Sequence, residues 1–206
     1  MKKYLSVFTS IFFILMVQVA FAAVGPVELL ETAANKMIAA LKKDKLQLSA
    51  NPDAVYKIVD DILFPHVDTV GMSRSVVGRT AWEQASRSDR EQFEQAFTRL
   101  VVQTYSHALA SYTNEQIKFY PIRGGVPQQA RRVEVKSTIL RANGPSISVD
   151  YRLVNKKNHW KIYDMSVEGV SLLQSFHSQF LPDLEQHDLA YLTQRLIEHN
   201  RKNKGQ

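Results

Sequence analysis

The stretch RVEVKSTILRANGPSISVDYRLVNKKNHWKIYDMSV, residues 132–167, decides the fold. Its side chains alternate with a period of two. Val133, Val135, Ser137 and Ile139 stand against Arg132, Glu134, Lys136 and Thr138, and Ile147, Val149, Tyr151 and Leu153 stand against Ser148, Asp150 and Arg152. Successive side chains of a strand point to opposite faces, so each run predicts a strand with one apolar face. A third run over 159–167 carries Trp160, Ile162, Tyr163 and Met165. Asn143-Gly144 is a strong hairpin turn signal, and Lys156, Lys157 and Asn158 make a polar turn. A shorter strand is expected over 116–121, giving three or four consecutive antiparallel strands.

Upstream of these strands the period is helical. Pro26 occupies a first helical position, and Leu30, Ala33, Ala34, Met37, Ile38 and Leu41 recur at helical spacing. Asn51-Pro52 starts a second helix with Val55, Ile58, Val59, Ile62 and Leu63 on one stripe, ended by Pro65. A third is expected over 67–77, stopped by Gly78. Ser88 and Glu91 read as a capping box opening the longest helix, over 88–112, with Phe93, Ala96, Phe97, Leu100, Val101, Tyr105, Ala108 and Tyr112 on its apolar face. After Gly169 a helical stripe of Val170, Leu173, Phe176 and Phe180 is interrupted by Pro182. Leu189, Leu192, Leu196 and Ile197 define a last helix. Helices followed by consecutive strands describe an α+β domain, with the longest helix as the expected cover of the sheet.

The first 22 residues have the three parts of a secretory signal. Lys2 and Lys3 are basic, residues 5–19 are uncharged and apolar, and Ala20-Phe21-Ala22 is a small-residue cleavage site. The expected division is a signal peptide over 1–22, one domain over 23–200 and a basic tail over 201–206. Of the net charge of +6, Lys2 and Lys3 supply two and the signal holds no acid, leaving +4. That surplus suits an acidic partner or an anionic lipid surface, and it is too small and scattered to predict nucleic-acid binding. The chain has no cysteine. Export to an oxidising compartment is consistent with that, and neither a disulfide nor a lipid-modified cysteine is available.

The sequence carries no recognised motif of a reactive group. The nucleophile elbow G-x-S-x-G is absent; Gly71-Met72-Ser73-Arg74-Ser75 and Gly169-Val170-Ser171-Leu172-Leu173 each lack the closing glycine. No H-E-x-x-H or phosphate-binding glycine loop occurs, and His66/Asp68 and His187/Asp188 read as surface or capping groups rather than metal ligands. His107, one position off the apolar stripe, reads as a packing histidine. Asp150 and Asp164 are the acids worth inspecting for a perturbed pKa. No catalytic residue, metal or cofactor is therefore expected.

Several ordered motifs resemble the MlaC family, also called toluene-tolerance proteins. They are Val76-Val77-Gly78 through Trp82; Phe93, Phe97, Leu100, Val101, Thr104 and Tyr105; Val149-Asp150-Tyr151-Arg152-Leu153; Trp160-Lys161-Ile162-Tyr163-Asp164; Glu168-Gly169-Val170-Ser171-Leu172; and Ser178-Gln179-Phe180. The resemblance spans about 27–196. His66-Val67-Asp68 departs from it, since the family often has an aromatic residue before the aspartate. The resemblance implies a curved antiparallel sheet backed by helices, similar to nuclear transport factor 2, with a helical subdomain. It also implies a periplasmic phospholipid carrier that is not an enzyme. Its partners would be an inner-membrane lipid ABC transporter with a hexameric lipid-binding domain and an outer-membrane lipoprotein–porin complex, so that it meets membranes only through partners. The implied role is to maintain outer-membrane lipid asymmetry.

Burying a methylene is worth ~0.8 kcal/mol, so a sixteen-carbon chain costs roughly 12 kcal/mol to expose to water. A carrier must offer an apolar wall in place of the membrane. The residues expected to form it are Phe97, Val101 and Tyr105 from the long helix, Val149, Tyr151, Leu153, Trp160 and Ile162 from the sheet, and Met165 and Val170 near the mouth. If the sheet faces the other way, Tyr163 and Met165 replace Trp160 and Ile162. Two other readings remain: a small periplasmic isomerase or lipid hydrolase on the same fold, and an adaptor without a pocket.

Overall fold

A computed structural model describes residues 24–43, 52–110, 115–141 and 144–202. The expected signal over 1–22, the cap Asn51, Tyr112, the turn residue Asn143 and most of the basic tail lie outside the described residues, as do the side chains of His107 and Ala108. Helices α1 (Pro26–Lys43), α2 (Pro52–Ile62), α3 (Thr69–Val77), α4 (Arg79–Gln84) and α5 (Arg87–Ala110) come first. Strands β1 (Gln116–Phe119), β2 (Arg132–Leu140), β3 (Ile147–Lys156), β4 (His159–Val167) and β5 (Val170–Ser171) follow. Helices α6 (Leu172–Gln186) and α7 (Leu189–Lys202) close the chain. The five strands form one antiparallel sheet in sequence order, curved and unclosed.

Sequence chemistry accounts for the joints. Pro26 and Pro52 open α1 and α2, as expected, because proline has no N–H to lose in a first turn. Asp68 caps α3 by accepting from the Gly71 amide at 3.0 Å, and a Cβ on Gly71 would collide with that carboxylate. Gly78, at φ 81°, ends the helix. The β3–β4 turn has Lys157 and Asn158 at φ 52° and 65°, and the β4–β5 turn has Glu168 and Gly169 at 49° and 79°. Two consecutive positive φ values give the turn geometry that matches strand twist.

Four expectations change. The capping box lies two residues earlier. The Ser86 hydroxyl accepts from the Asp89 amide at 3.1 Å, and the Asp89 carboxylate accepts from the Ser86 hydroxyl at 2.6 Å and its amide at 3.3 Å. Pro182 does not interrupt its helix: α6 runs through it. Proline removes one backbone bond there, while buried Leu173, Phe176 and Phe180 before it and half-buried Leu184 after it hold both halves to the core. Val170 belongs to the short edge strand β5 rather than to the helix. The long helix is not the main cover of the sheet. α5 packs chiefly on α7, α2 and α3 because its apolar residues point two ways. Phe93, Ala96, Phe97 and Leu100 face α6 and α7, while Val102 joins Leu41, Val55 and Val59. The sheet is covered instead by the start of α1, through Leu29 and Leu30 against Val135, Leu153, Trp160 and Ile162.

The helical body has an aromatic centre. Phe93 and Phe97 stack at 5.6 Å, and Phe97 meets Phe176 edge-on at 5.2 Å. Such pairs add about 0.5–1.5 kcal/mol each beyond burial. No sheet residue belongs to this cluster.

Candidate functional site

Register fixes which side chains share a face, because paired residues on neighbouring strands point the same way. Ser137 pairs with Val149, and Val149 with Val167; Val135 pairs with Tyr151, and Tyr151 with Met165; Val133 pairs with Leu153. Between Arg152 and Leu153 the register slips by one, so Arg152 pairs with Asp164 while Leu153 pairs with Ile162. Tyr163 is the extra residue of a bulge. The slip places Met165 and Ile162 on the same face, though simple alternation opposes them. The alternative of Tyr163 and Met165 in place of Trp160 and Ile162 does not arise: Trp160, Ile162 and Met165 all belong to the inner face, while Tyr163 turns outward under the Arg132 guanidinium at 5.3 Å.

The inner face has two halves. At one end Leu153, Trp160 and Ile162 are packed under Leu29 and Leu30. At the other, Ile139, Ile147, Met165 and Val167 are half-buried and belong to none of the packed clusters. Val149 sits among them, 3% exposed and also outside those clusters. Tyr151 bridges the halves, half-buried, with its ring 5.8 Å from Phe119. Burial pushes its phenol pKa up against a smaller opposing effect of Ser137.

The ten expected wall residues therefore fall into groups. Val149, Tyr151, Leu153, Trp160, Ile162 and Met165 share the inner sheet face. Phe97, Val101 and Tyr105 lie on one stripe of α5 with the helical cluster, Phe97 fully buried and the other two half-buried. Burial raises the Tyr105 pKa as well. Val170 stands apart at 60% exposure. Ile139, Ile147 and Val167 were missed, although the alternation of their own strands marks the first two as inner-facing. Two surface pockets of about 360 and 380 Å³ open on the helical body, and none of the ten lines either.

The inspected acids differ. Asp164 is 2% exposed and fully engaged. Its carboxylate accepts from the Met165 amide at 2.8 Å, the Ser171 hydroxyl at 2.8 Å, the Leu173 amide at 3.3 Å and Arg152 at 3.1 Å. It ties β4 to the start of α6, where Ser171 caps the helix. Asp150 points to the opposite, outer face, as expected from alternation. No group of three or more metal-ligating side chains occurs among the described residues, and no described helix is long and apolar enough to cross a membrane.

An α+β protein with an open antiparallel sheet, one half of whose apolar face joins none of the packed clusters among the described residues, is the class these features define. The chain belongs to the MlaC family: the family described as MlaC protein matches residues 31–198. It is 28% identical over 166 residues to the toluene tolerance protein ttg2D of Pseudomonas putida, covering 81% of this chain and 76% of that one. It is 27% identical over 178 residues to the intermembrane phospholipid transport system binding protein MlaC of Haemophilus influenzae, covering 84% and 82%. The phospholipid-binding protein of Ralstonia solanacearum, solved in complex with a phospholipid, superposes with a TM-score of 0.78 at 28% identity, covering 86% of this chain and 97% of that one.

Proposed function

We propose that this protein binds a phospholipid against the open half of its inner sheet face and carries it across the periplasm without altering it. The observation that carries the reading is the incompletely covered apolar face, in a fold shared over nearly its whole length with a protein solved around a phospholipid. Val149, Tyr151 and Met165 form the wall, with Leu153, Trp160 and Ile162 as its packed end. Val101 and Tyr105 close it from α5, Phe97 backs them, and Val170 lies on the rim. The bound lipid is cargo, and no cofactor or catalytic group is required. The protein is exported by the signal over 1–22. It exchanges lipid with an inner-membrane ABC transporter bearing a hexameric lipid-binding domain and with an outer-membrane lipoprotein–porin complex, and so maintains outer-membrane asymmetry.

Native mass spectrometry of protein purified from cells tests this directly. Intact phospholipid bound to the folded chain is the expected result. Lyso-lipid or free fatty acid would replace the carrier with a hydrolase, and an empty protein would replace it with an adaptor.

A further inference from the structure

The pocket of about 360 Å³ opens on the helical body between α4 and the turn that joins α6 to α7. Val77, Ala81, Leu184 and Leu189 make its lining apolar, and Leu181 stands beside them 40% exposed. Three carboxylates, Asp89, Glu185 and Asp188, share that lining with one base, Arg79. The Arg79 guanidinium pairs with Glu83 at 2.9 Å. None of the three acids has an ion-pair partner among the described residues. Asp89 accepts from the Ser86 hydroxyl and Asp188 from the Tyr191 amide at 2.9 Å. Both lie at the start of a helix, whose partial positive charge offsets part of theirs.

Glu185 has no such compensation. It is exposed and lies in the last turn of α6, where the partial negative charge of a helix C-terminus disfavours an acid. That turn holds no base of its own. Asp183 in the same turn is satisfied by Arg195 from α7, and Glu185 is left over. An apolar pocket with a negative rim results, in a chain whose net charge is +6. Such a rim repels the phosphate of a phospholipid and attracts a cation. We propose that this pocket docks a basic segment of a partner protein, with an apolar side chain seated against Leu181 and Leu184 and a Lys or Arg paired with Glu185 and Asp188. An apolar anchor supplies the affinity in such a contact, while the charges speed encounter and fix orientation. None of the ten wall residues lines the pocket, so the docking surface does not depend on the carrier reading.

The probe is a fluorescein-labelled peptide of leucine and lysine, with its leucine–glutamate counterpart as control, titrated by anisotropy against the protein as purified. The lysine peptide should bind at least about tenfold more tightly than the glutamate peptide. Glu185→Lys should weaken it roughly three- to tenfold, and Leu181→Ser should weaken both peptides. Asp61→Lys, a reversal at an exposed acid outside the pocket, should leave binding within about twofold. Glu185→Lys also relieves the acid at the helix C-terminus, so its Tm should rise by about 1–4 °C while binding falls. A Tm that falls instead would make Glu185 a structural residue and overturn the assignment. Equal weakening by Asp61→Lys would reduce the effect to overall charge, and equal binding of the two peptides, or of neither, would refute the basic segment. Self-association of the protein that is lost in Glu185→Lys would give the pocket to a second copy and overturn the proposal.

Discussion

Replacing Val149 with aspartate separates a lipid wall from an ordinary core. Val149 is 3% exposed, yet it sits beside half-buried Ile147, Met165 and Val167 rather than inside a packed cluster. If the wall around Val149 opens to admit an acyl chain, a carboxylate there draws water through that opening in the empty protein and is stripped of it only when lipid arrives. The effective penalty for desolvating an ion is several kcal/mol. Even ~3 kcal/mol lowers affinity more than a hundredfold. Lipid phosphate per mole of purified Val149→Asp should fall to background, while the Tm of the lipid-free protein moves by less than about 3 °C. Val135→Asp provides the contrast. Val135 is fully buried in the cluster with Leu153 and Leu29. The same penalty then falls on folding, and ~3 kcal/mol corresponds to roughly 6–12 °C in Tm for a chain of this size. If Val149→Asp instead keeps its full lipid and loses more than about 6 °C in the lipid-free state, Val149 is closed core and the wall assignment is refuted.

The remaining tests address the frame around the site. Ser86→Ala should cost about 1 kcal/mol, read as a drop of ~2–4 °C in Tm, while Ser88→Ala should change it by under about 1 °C; equal effects would return the capping box to Ser88. Asp164→Ala removes a buried carboxylate that holds two backbone amides, Ser171 and Arg152, and should lower stability by about 3 kcal/mol or more in a denaturant titration. A loss under about 1 kcal/mol would contradict that structural role. His66 should titrate below its ordinary value of 6.5, because burial and then Lys161 and Lys36 disfavour its charge. The unfolded chain takes up that proton first, so its contribution is full above the unfolded pKa and is lost as pH falls through the folded one. NMR titration of the His66 ring protons checks the direction, and a midpoint above 6.5 would be inconsistent with it.

The strands were legible because a period of two survives any packing arrangement. The boundaries of β2 and β4 coincide with the alternating runs 132–140 and 159–167. The inner face was legible only as far as strict alternation holds. It fails at Tyr163, where one extra residue turns Ile162 and Met165 to the same side, and no residue type in W-K-I-Y-D-M announces a bulge. The role of α5 was not legible either. Its stripe says that Phe93 and Phe97 are buried but not against what, and α1, with a comparable stripe, supplied Leu29 and Leu30 to the sheet instead. The proposed wall residues on β3 therefore followed from their own strand. Those on α5 depended on a tertiary contact that sequence periodicity does not encode.

That separation of cores bears on how a carrier stays folded when empty. A cavity closed only by its cargo removes apolar contacts from the lipid-free state, and each missing contact costs stability. Here Phe93, Phe97, Phe176, Phe180 and Leu192 pack together without any sheet residue. A second closed cluster pins one end of the sheet through Leu29, Leu153 and Trp160. Asp164 and the Ser171 cap join β4 to α6 on the side away from the inner face. The open half of that face can then go without a partner while the rest of the molecule holds its curvature. It follows that removing lipid should cost this protein little more than the ligand's own binding energy, and that lipid-free and lipid-bound forms should share one backbone. Amide hydrogen exchange would show this as protection gained only in β3, β4 and their near neighbours on loading. Protection gained throughout α5, α6 and α7 would mean instead that the helical body depends on its cargo.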